Sequence, residues 1–279
     1  VCEAHFGKAR VLYEWNRLEE AEVSAKYALD LARTYEAGID RYLSSEIFLA
    51  RIELTKGRVA AAAAALETTE LSARSGGFLF RLPEIAAAKV LAALARGNHV
   101  ASLRYAKESG HPRLEARALV GCSQFAKALT VIEAWLAKVI QEDWTEEILK
   151  SRIVQVLALK GAGKEVEALS ALEAVLKLAD PAGAIRIFVD ERTGLLNLME
   201  VLSARAPLSD FASCVYKACH DSLDLFPIET LSSREKEVLV LVAQGLSNHE
   251  IGERLFLALD SVKGNNRRIF EKLGVKRRT

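Results

Sequence analysis

From Val1 to about residue 180 the apolar positions recur three and four apart, in stretches of Ala, Leu, Glu, Arg and Lys interrupted only by Pro83, Pro112 and Pro181. That period puts them on one stripe of a helix, and the residue types are strong helix formers. A short element repeats through this region: Arg17-Leu-Glu-Glu-Ala21, Arg58-Val-Ala-Ala-Ala62, Asn98-His-Val-Ala-Ser102, Gln124-Phe-Ala-Lys-Ala128 and Lys164-Glu-Val-Glu-Ala168. The small residues that close the five elements lie 41, 40, 26 and 40 positions apart. Each element follows a polar or glycine-containing break and opens a second amphipathic helix, as in Ala21, Ala25, Ala28 and Leu29 or Ala168, Leu172, Val175 and Leu176. Two helices meeting at small residues make a hairpin, and one hairpin cannot bury its own apolar face. Neighbouring units must therefore stack into a curved solenoid, tetratricopeptide-like although most units exceed the ~34 residues of the standard repeat. A non-repetitive helical bundle is the alternative that the spacing leaves open.

After Pro181 the pattern changes. Ala184-Ile-Arg-Ile-Phe-Val189 is β-branched and aromatic and fits either a short extended piece or a buried helical turn. Helical spacing returns from 194 to 225, with Leu195, Leu198, Leu202, Phe211, Val215, Leu223 and Leu225 on apolar faces, and Phe226-Pro227-Ile228 reads as a linker. Three further helical segments follow. Ser232-Ser-Arg-Glu235 and Ser247-Asn-His-Glu250 are capping boxes, each opening a helix with apolar residues on one face (Val238, Leu239 and Val242; Ile251 and Leu255). Gly245 stops the first of these helices, Phe256 to Leu259 forms a turn, and a third helix runs from about Asp260 to Leu273 before Gly274. The expectation is an all-α chain: a helical-repeat domain over 1–180, a connecting helical segment and linker over 181–228, and a small domain over 229–279.

Charge separates these parts. The chain carries a formal net charge of +1. From Leu231 onward there are ten Lys or Arg against six Asp or Glu, which leaves −3 for everything before it. Lys263, Arg267, Arg268, Lys272, Lys276, Arg277 and Arg278 face the single anion Glu271 in the last seventeen residues, an electrostatic footprint for phosphate. Cys2, Cys122, Cys214 and Cys219 are scattered through helical patterns, which suits a reducing cytoplasm and predicts no disulfide. No eighteen-residue apolar run and no export signal is present, so a membrane partner is not expected. Beginning at Val1 and ending in a basic stretch, the chain reads as an internal piece of something longer.

A short helix, a tight turn and a longer basic helix have the arrangement of a helix-turn-helix, whose second helix enters the major groove. Lys and Arg donate to phosphates or guanine edges, and Asn can bond adenine through two hydrogen bonds. The expected DNA-contacting residues are Ser247, Asn248, Ser261, Lys263, Asn265, Asn266, Arg267, Arg268 and Lys272, with Val262, Ile269 and Leu273 facing inward. The run Leu231-Ser-Ser-Arg-Glu-Lys-Glu-Val-Leu239, then Gly245-Leu-Ser-Asn-His-Glu-Ile251, Ser261-Val-Lys263 and Ile269-Phe-Glu-Lys-Leu-Gly-Val275 resembles the LuxR-type DNA-binding domain. This chain departs from that pattern at Ala258, where a capping Ser or Thr is frequent and Asp260 is left to substitute. It also departs at Asn265, where His is frequent, and at Asn266, where many members are apolar.

A helical repeat ahead of this domain, with Gly183-Ala-Ile-Arg-Ile-Phe-Val-Asp190 between them, is similar to the large ATP-dependent LuxR regulators typified by the bacterial maltose-regulon activator. The resemblance implies a sequence-specific DNA-binding transcriptional regulator, cytoplasmic, whose repeats sense an effector. It also implies a dimer or higher oligomer on double-stranded DNA, contact with RNA polymerase, and a nucleotide-binding switch domain upstream that holds ATP; this piece itself takes no cofactor. A protein-interaction scaffold with a terminal module that does not bind DNA is the alternative.

Other motifs carry less. Gly161-Ala-Gly-Lys164 lacks the earlier glycine and the following Ser or Thr of a phosphate loop, and reads as a turn between helices. Cys214, Cys219 and His220 match no zinc spacing, and no catalytic constellation can be argued, so neither a metal site nor an enzyme is expected. Aligned on Ala21, Ala62 and Ala128, the repeats place Arg10, Arg51 and Arg117 at one turn of the first helix, with Leu91 and Leu157 in the other two repeats. With Tyr13 and Phe6 a turn away from Arg10, these arginines would make a concave wall for an anionic effector or an acidic partner.

Overall fold

The computed structural model describes residues 1–35, 40–222 and 233–273, with the side chains of 233, 236, 268 and 270–273 outside the description. Among the described residues every regular element is helical. Ten helices pair into five hairpins: α1 (Cys2–Glu14) with α2 (Leu18–Tyr35), α3 (Arg41–Thr55) with α4 (Val59–Ser75), α5 (Leu82–Ala95) with α6 (His99–Ser109), α7 (Pro112–Gly121) with α8 (Phe125–Gln141), and α9 (Thr145–Gly161) with α10 (Glu165–Ala179).

All five hairpins turn in the same way. The turn residue is Asn16, Gly57, Gly97, Ser123 or Gly163, each with φ between 58° and 76°. Its N–H donates three residues back and the next N–H five back, as Ser123 to Val120 and Gln124 to Leu119, both at 2.9 Å. That closure satisfies the last carbonyls of the first helix and requires a left-handed residue. Five positions later stand Ala21, Ala62, Ser102, Ala128 and Ala168, all fully buried. The 26-residue interval comes from the short α6 and α7, 11 and 10 residues long, against 13 in α1 and 18 in α2. The core is a succession of local clusters, one handed to the next. Leu12, Ala21 and Ala25 join Phe48 and Ile52; Leu43, Ile47 and Leu66 join Ile85; Val90 and Ala106 join Leu114; Ala116, Ile132 and Leu136 join Val154.

Beyond α10 a tight turn at Asp180–Ala182 and a left-handed Gly183 lead to α11 (Arg186–Val189), α12 (Arg192–Arg205) and α13 (Asp210–Asp221). The undecided run Ala184 to Val189 is thus one helical turn, with Arg186, Ile187, Phe188 and Val189 all buried. As far as Ser222 this segment belongs to the same compact unit as the repeats. The reason is its core: Phe188, Leu195, Leu198, Met199 and Val215 complete the cluster begun by Leu157, Ala168 and Leu172. Cys219 lies inside that cluster, and burial pushes its thiol up to about 12.

The ends of the repeat array meet. Lys150 on α9 bonds Glu14 on α1 at 3.0 Å, Arg10 reaches Glu146 at 3.3 Å, and the Trp15 indole donates to the Ala182 carbonyl at 3.3 Å. A second compact unit begins at Leu223. Its described helices are α14 (Ser233–Ala243), α15 (Asn248–Leu255) and α16 (Leu259–Leu273), closed around Val238, Leu241, Ile251, Val262 and Ile269. Ser232, read as the cap of α14, lies outside the described residues.

Candidate nucleic-acid interface

The entry to α15 is built as its sequence requires. Glu250 N–H donates to Ser247 Oγ at 3.3 Å, and Ser247 N–H donates to Glu250 Oε2 at 2.7 Å, a reciprocal capping box. Ser247 is therefore occupied with the helix end. At the other end, Leu257 N–H donates to the Gly252 carbonyl at 2.8 Å, and a Cβ on Gly252 would stand 2.8 Å from the Leu257 carbonyl oxygen. Only glycine allows the chain to double back this closely. Phe256 makes the turn itself, at φ 54°, with its side chain 96% exposed.

On α16, positions 262, 265, 266 and 269 fall at spacings of three and four, one stripe of the helix. Val262 and Ile269 are fully buried there, and Asn265 and Asn266 are buried with them, 9% and 6% exposed. The two asparagines are thus corrected from base readers to internal residues: the stripe that packs the helix onto its domain includes them. Asn266 Nδ2 donates to Asn248 Oδ1 at 2.8 Å, linking α16 to the first turn of α15. Outside that stripe Ser261, Lys263 and Arg267 are all exposed. Lys263, 58% exposed, lies 3.5 Å from Asp260 one turn earlier. Asp260 sits inside the first turn of α16, so the Ser261 and Val262 N–H groups bond the Ala258 carbonyl instead of a side-chain cap. The side chains of Arg268 and Lys272, and all of Lys276, Arg277 and Arg278, lie outside the described residues.

The proposed effector wall is different from its expectation. Tyr13 is 1% exposed and donates its hydroxyl to Asp190 at 2.9 Å. Arg51 stacks over the Tyr13 ring at 4.6 Å and pairs with the same carboxylate at 3.2 Å. Arg117 pairs with Glu191 at 2.7 Å, and Arg10, on the surface, pairs with Glu146. Consecutive carboxylates of the chain itself, Asp190 and Glu191, neutralise Arg51 and Arg117, and Glu146 pairs with Arg10, so the three form no open cationic wall. Phe6 packs edge-on against Phe48 at 5.6 Å.

The sequence reading missed the residues that complete this network. Arg186, 2% exposed, holds Asp190 at 2.6 Å and donates to Asn16 Oδ1 at 2.8 Å. Burial works against the Asp190 carboxylate, yet Arg186 and Arg51 together hold it below the usual carboxylate range. Burial likewise pushes the Tyr13 phenol up. The available signal was Arg186 itself, a cation inside an apolar run, which burial tolerates only when paired. Gly161 to Lys164 form the turn between α9 and α10, with Gly163 in the left-handed region.

The architecture is that of a helical-repeat array followed by a helix-turn-helix unit. Residues 1–205 match the MalT-like TPR region, and residues 229–279 match the bacterial regulatory proteins of the luxR family. The chain belongs to the MalT-like TPR family and carries a LuxR-type domain after it. It is 23% identical over 310 residues to the HTH-type transcriptional regulator MalT of Vibrio campbellii, covering 97% of this chain and 34% of that protein. To the MalT of Yersinia pestis it is 24% identical over 312 residues, with the same coverage. The transcriptional regulatory protein LiaR of Bacillus subtilis is 43% identical over 60 residues, 22% of this chain and 28% of LiaR. The chain spans about a third of the length of the MalT relatives it matches.

Proposed function

We propose that this chain is the sensing and DNA-binding part of a transcriptional regulator. The observation that carries the reading is the division of α16 into two faces: Val262 and Ile269 seal it to a three-helix core, and Ser261, Lys263 and Arg267 stand outward. A helix held in this way can enter a major groove and place cations on phosphates and base edges. The LuxR-type match over residues 229–279 supports it. The repeats receive the effector, small molecule or protein, at positions other than Tyr13, Arg51 and Arg117, which hold Asp190 and Glu191. On DNA the regulator acts as a dimer or higher oligomer, since half-sites about 34 Å apart call for two recognition helices.

The test is fluorescence anisotropy with a duplex enriched from random sequence by the chain itself, titrated at graded salt. Affinity falls steeply with salt, and Lys263→Ala or Arg267→Ala each weakens binding and lowers the slope of log affinity against log salt by about 1. Full affinity in both variants, or no salt dependence in the wild type, refutes the assignment.

A further inference from the structure

In every hairpin the residues ten and fourteen places ahead of the buried small residue share one face of the first helix. In the four later hairpins these are Ile52, Ala92, Ala118 and Ala158, and Phe48, Ala88, Leu114 and Val154, none more than 8% exposed. The hairpin before them covers this face. Phe48 and Ile52 cluster with Ala21 and Ala25, Ala88 and Ala92 with Leu66, Leu114 and Ala118 with Val90 and Ala106, and Val154 with Ile132 and Leu136. In the first hairpin the same two positions hold Val11, 48% exposed, and Gly7, where an added Cβ would meet nothing within 4 Å. Ala4, a turn earlier, is exposed too. An outermost unit that faces water needs a polar outer face, and these three side chains offer water no hydrogen bond.

The neighbouring position carries a charge with a known use in this fold. Lys89, in the register of Lys8, is 6% exposed and pairs with Glu67 at 2.8 Å and with Glu70, both on α4 of the preceding hairpin. Lys8 is exposed and pairs with no carboxylate among the described residues.

We propose that this face of α1 is a docking surface for one more helical hairpin of the same kind, supplied by residues ahead of Val1. Its second helix lays an apolar stripe over Val11, fills the space above Gly7 with a large side chain, and sets a carboxylate against Lys8. The MalT relatives are about three times as long as the part this chain matches, which leaves length for such a unit. A second copy of the chain is a poorer occupant: two copies of this face meeting about a two-fold axis would bring Lys8 near Lys8, and like charges oppose that. A hairpin ahead of α1 leaves the five between Tyr13 and Asp190 as they are.

The test is maleimide labelling of a Val11→Cys variant, read by peptide mass spectrometry so that the native cysteines are resolved from it. Two chains are compared: the 279 residues, and the same chain extended by the 41 residues encoded ahead of Val1, the interval from Ala21 to Ala62. In the shorter chain the new thiol reacts as fast as the exposed Cys214. In the extended chain it reacts at least about tenfold more slowly, because the docked hairpin must open first. Adding Lys8→Glu speeds labelling of the extended chain and leaves the shorter one unchanged. Should the extended chain not fold, the 41-residue segment added as a peptide slows labelling of the shorter chain in a saturable way. Equal rates in the two chains with no effect of the peptide overturn the proposal, as does an extended Lys8→Glu chain that labels no faster. Protection that appears in the shorter chain alone and grows with its concentration assigns the face to a second copy and overturns it as well.

Discussion

Asp190→Asn is the sharpest perturbation of the repeat unit. Its carboxylate accepts from the Tyr13 hydroxyl at 2.9 Å, Arg51 at 3.2 Å and Arg186 at 2.6 Å. The amide keeps the shape but removes the charge between two guanidiniums and turns an N–H2 group towards one of them. Arg186 is 2% exposed and then keeps neutral partners alone, among them the Asn16 side-chain oxygen and the Tyr13 ring, with no charge beside it from Asp190. Stranding one member of a buried pair costs ~3–5 kcal/mol. Because the Asp190 side chain is 25% exposed and Arg51 28%, water screens part of this, and the expected loss is about 3 kcal/mol, the lower end of that range. Urea unfolding followed by tryptophan fluorescence isolates the effect, since all three tryptophans, Trp15, Trp135 and Trp144, lie in the repeat unit. Glu20→Gln is the control: its pair with Arg17 is at least half exposed on both sides, and such pairs contribute ~0–1 kcal/mol. A loss below about 1 kcal/mol for Asp190→Asn, or one no larger than the control's, would refute the argument that this cluster binds the array together.

Acid should weaken the repeat unit through the same kind of group. Glu22 is held at about 2 by hydrogen bonds from Lys26 and Lys56. A carboxylate whose folded value is depressed contributes stability that is complete above its unfolded value near ~4.3 and is lost as the pH falls through the folded one. Urea midpoints should therefore drop below about pH 4, and Glu22→Gln should flatten that drop; an equal pH dependence in the variant would count against it. In the terminal unit, Gly252→Ala reverses the usual helix rule. Alanine normally stabilises a helix interior by ~1 kcal/mol over glycine, but here the new Cβ meets the Leu257 carbonyl at 2.8 Å, so a loss of ~1–3 kcal/mol is expected from overpacking. Melting of the variant at or above the wild-type temperature would show that the turn can give way.

Most of the helical plan was legible because it is written in short-range chemistry. The five small residues from Ala21 to Ala168 are fully buried, and Ser247 with Glu250 caps α15 as the spacing implied. What escaped was long-range pairing. Arg51 and Arg117 share a register that periodicity reveals, but their partners are 139 and 74 residues away, and no local pattern states that distance. Asn265 and Asn266 were a different kind of miss. Their stripe, three and four residues from Val262 and Ile269, was readable, but residue chemistry drew attention to what asparagine can bond in a groove and away from where the helix turns it. Arg186 lay between these cases: its burial was implied by the apolar run around it, its partners were not.

Repeat arrays commonly change length by gaining or losing a unit, because each unit touches only its neighbours and the rest is indifferent to the count. Here Tyr13 and Asn16 of the first hairpin are bonded to Asp190 and Arg186, just past the fifth. Inserting or deleting a hairpin would carry these two residues away from their partners, so the number of units is locked. Melting should accordingly run through the array as one event instead of fraying from its outer units.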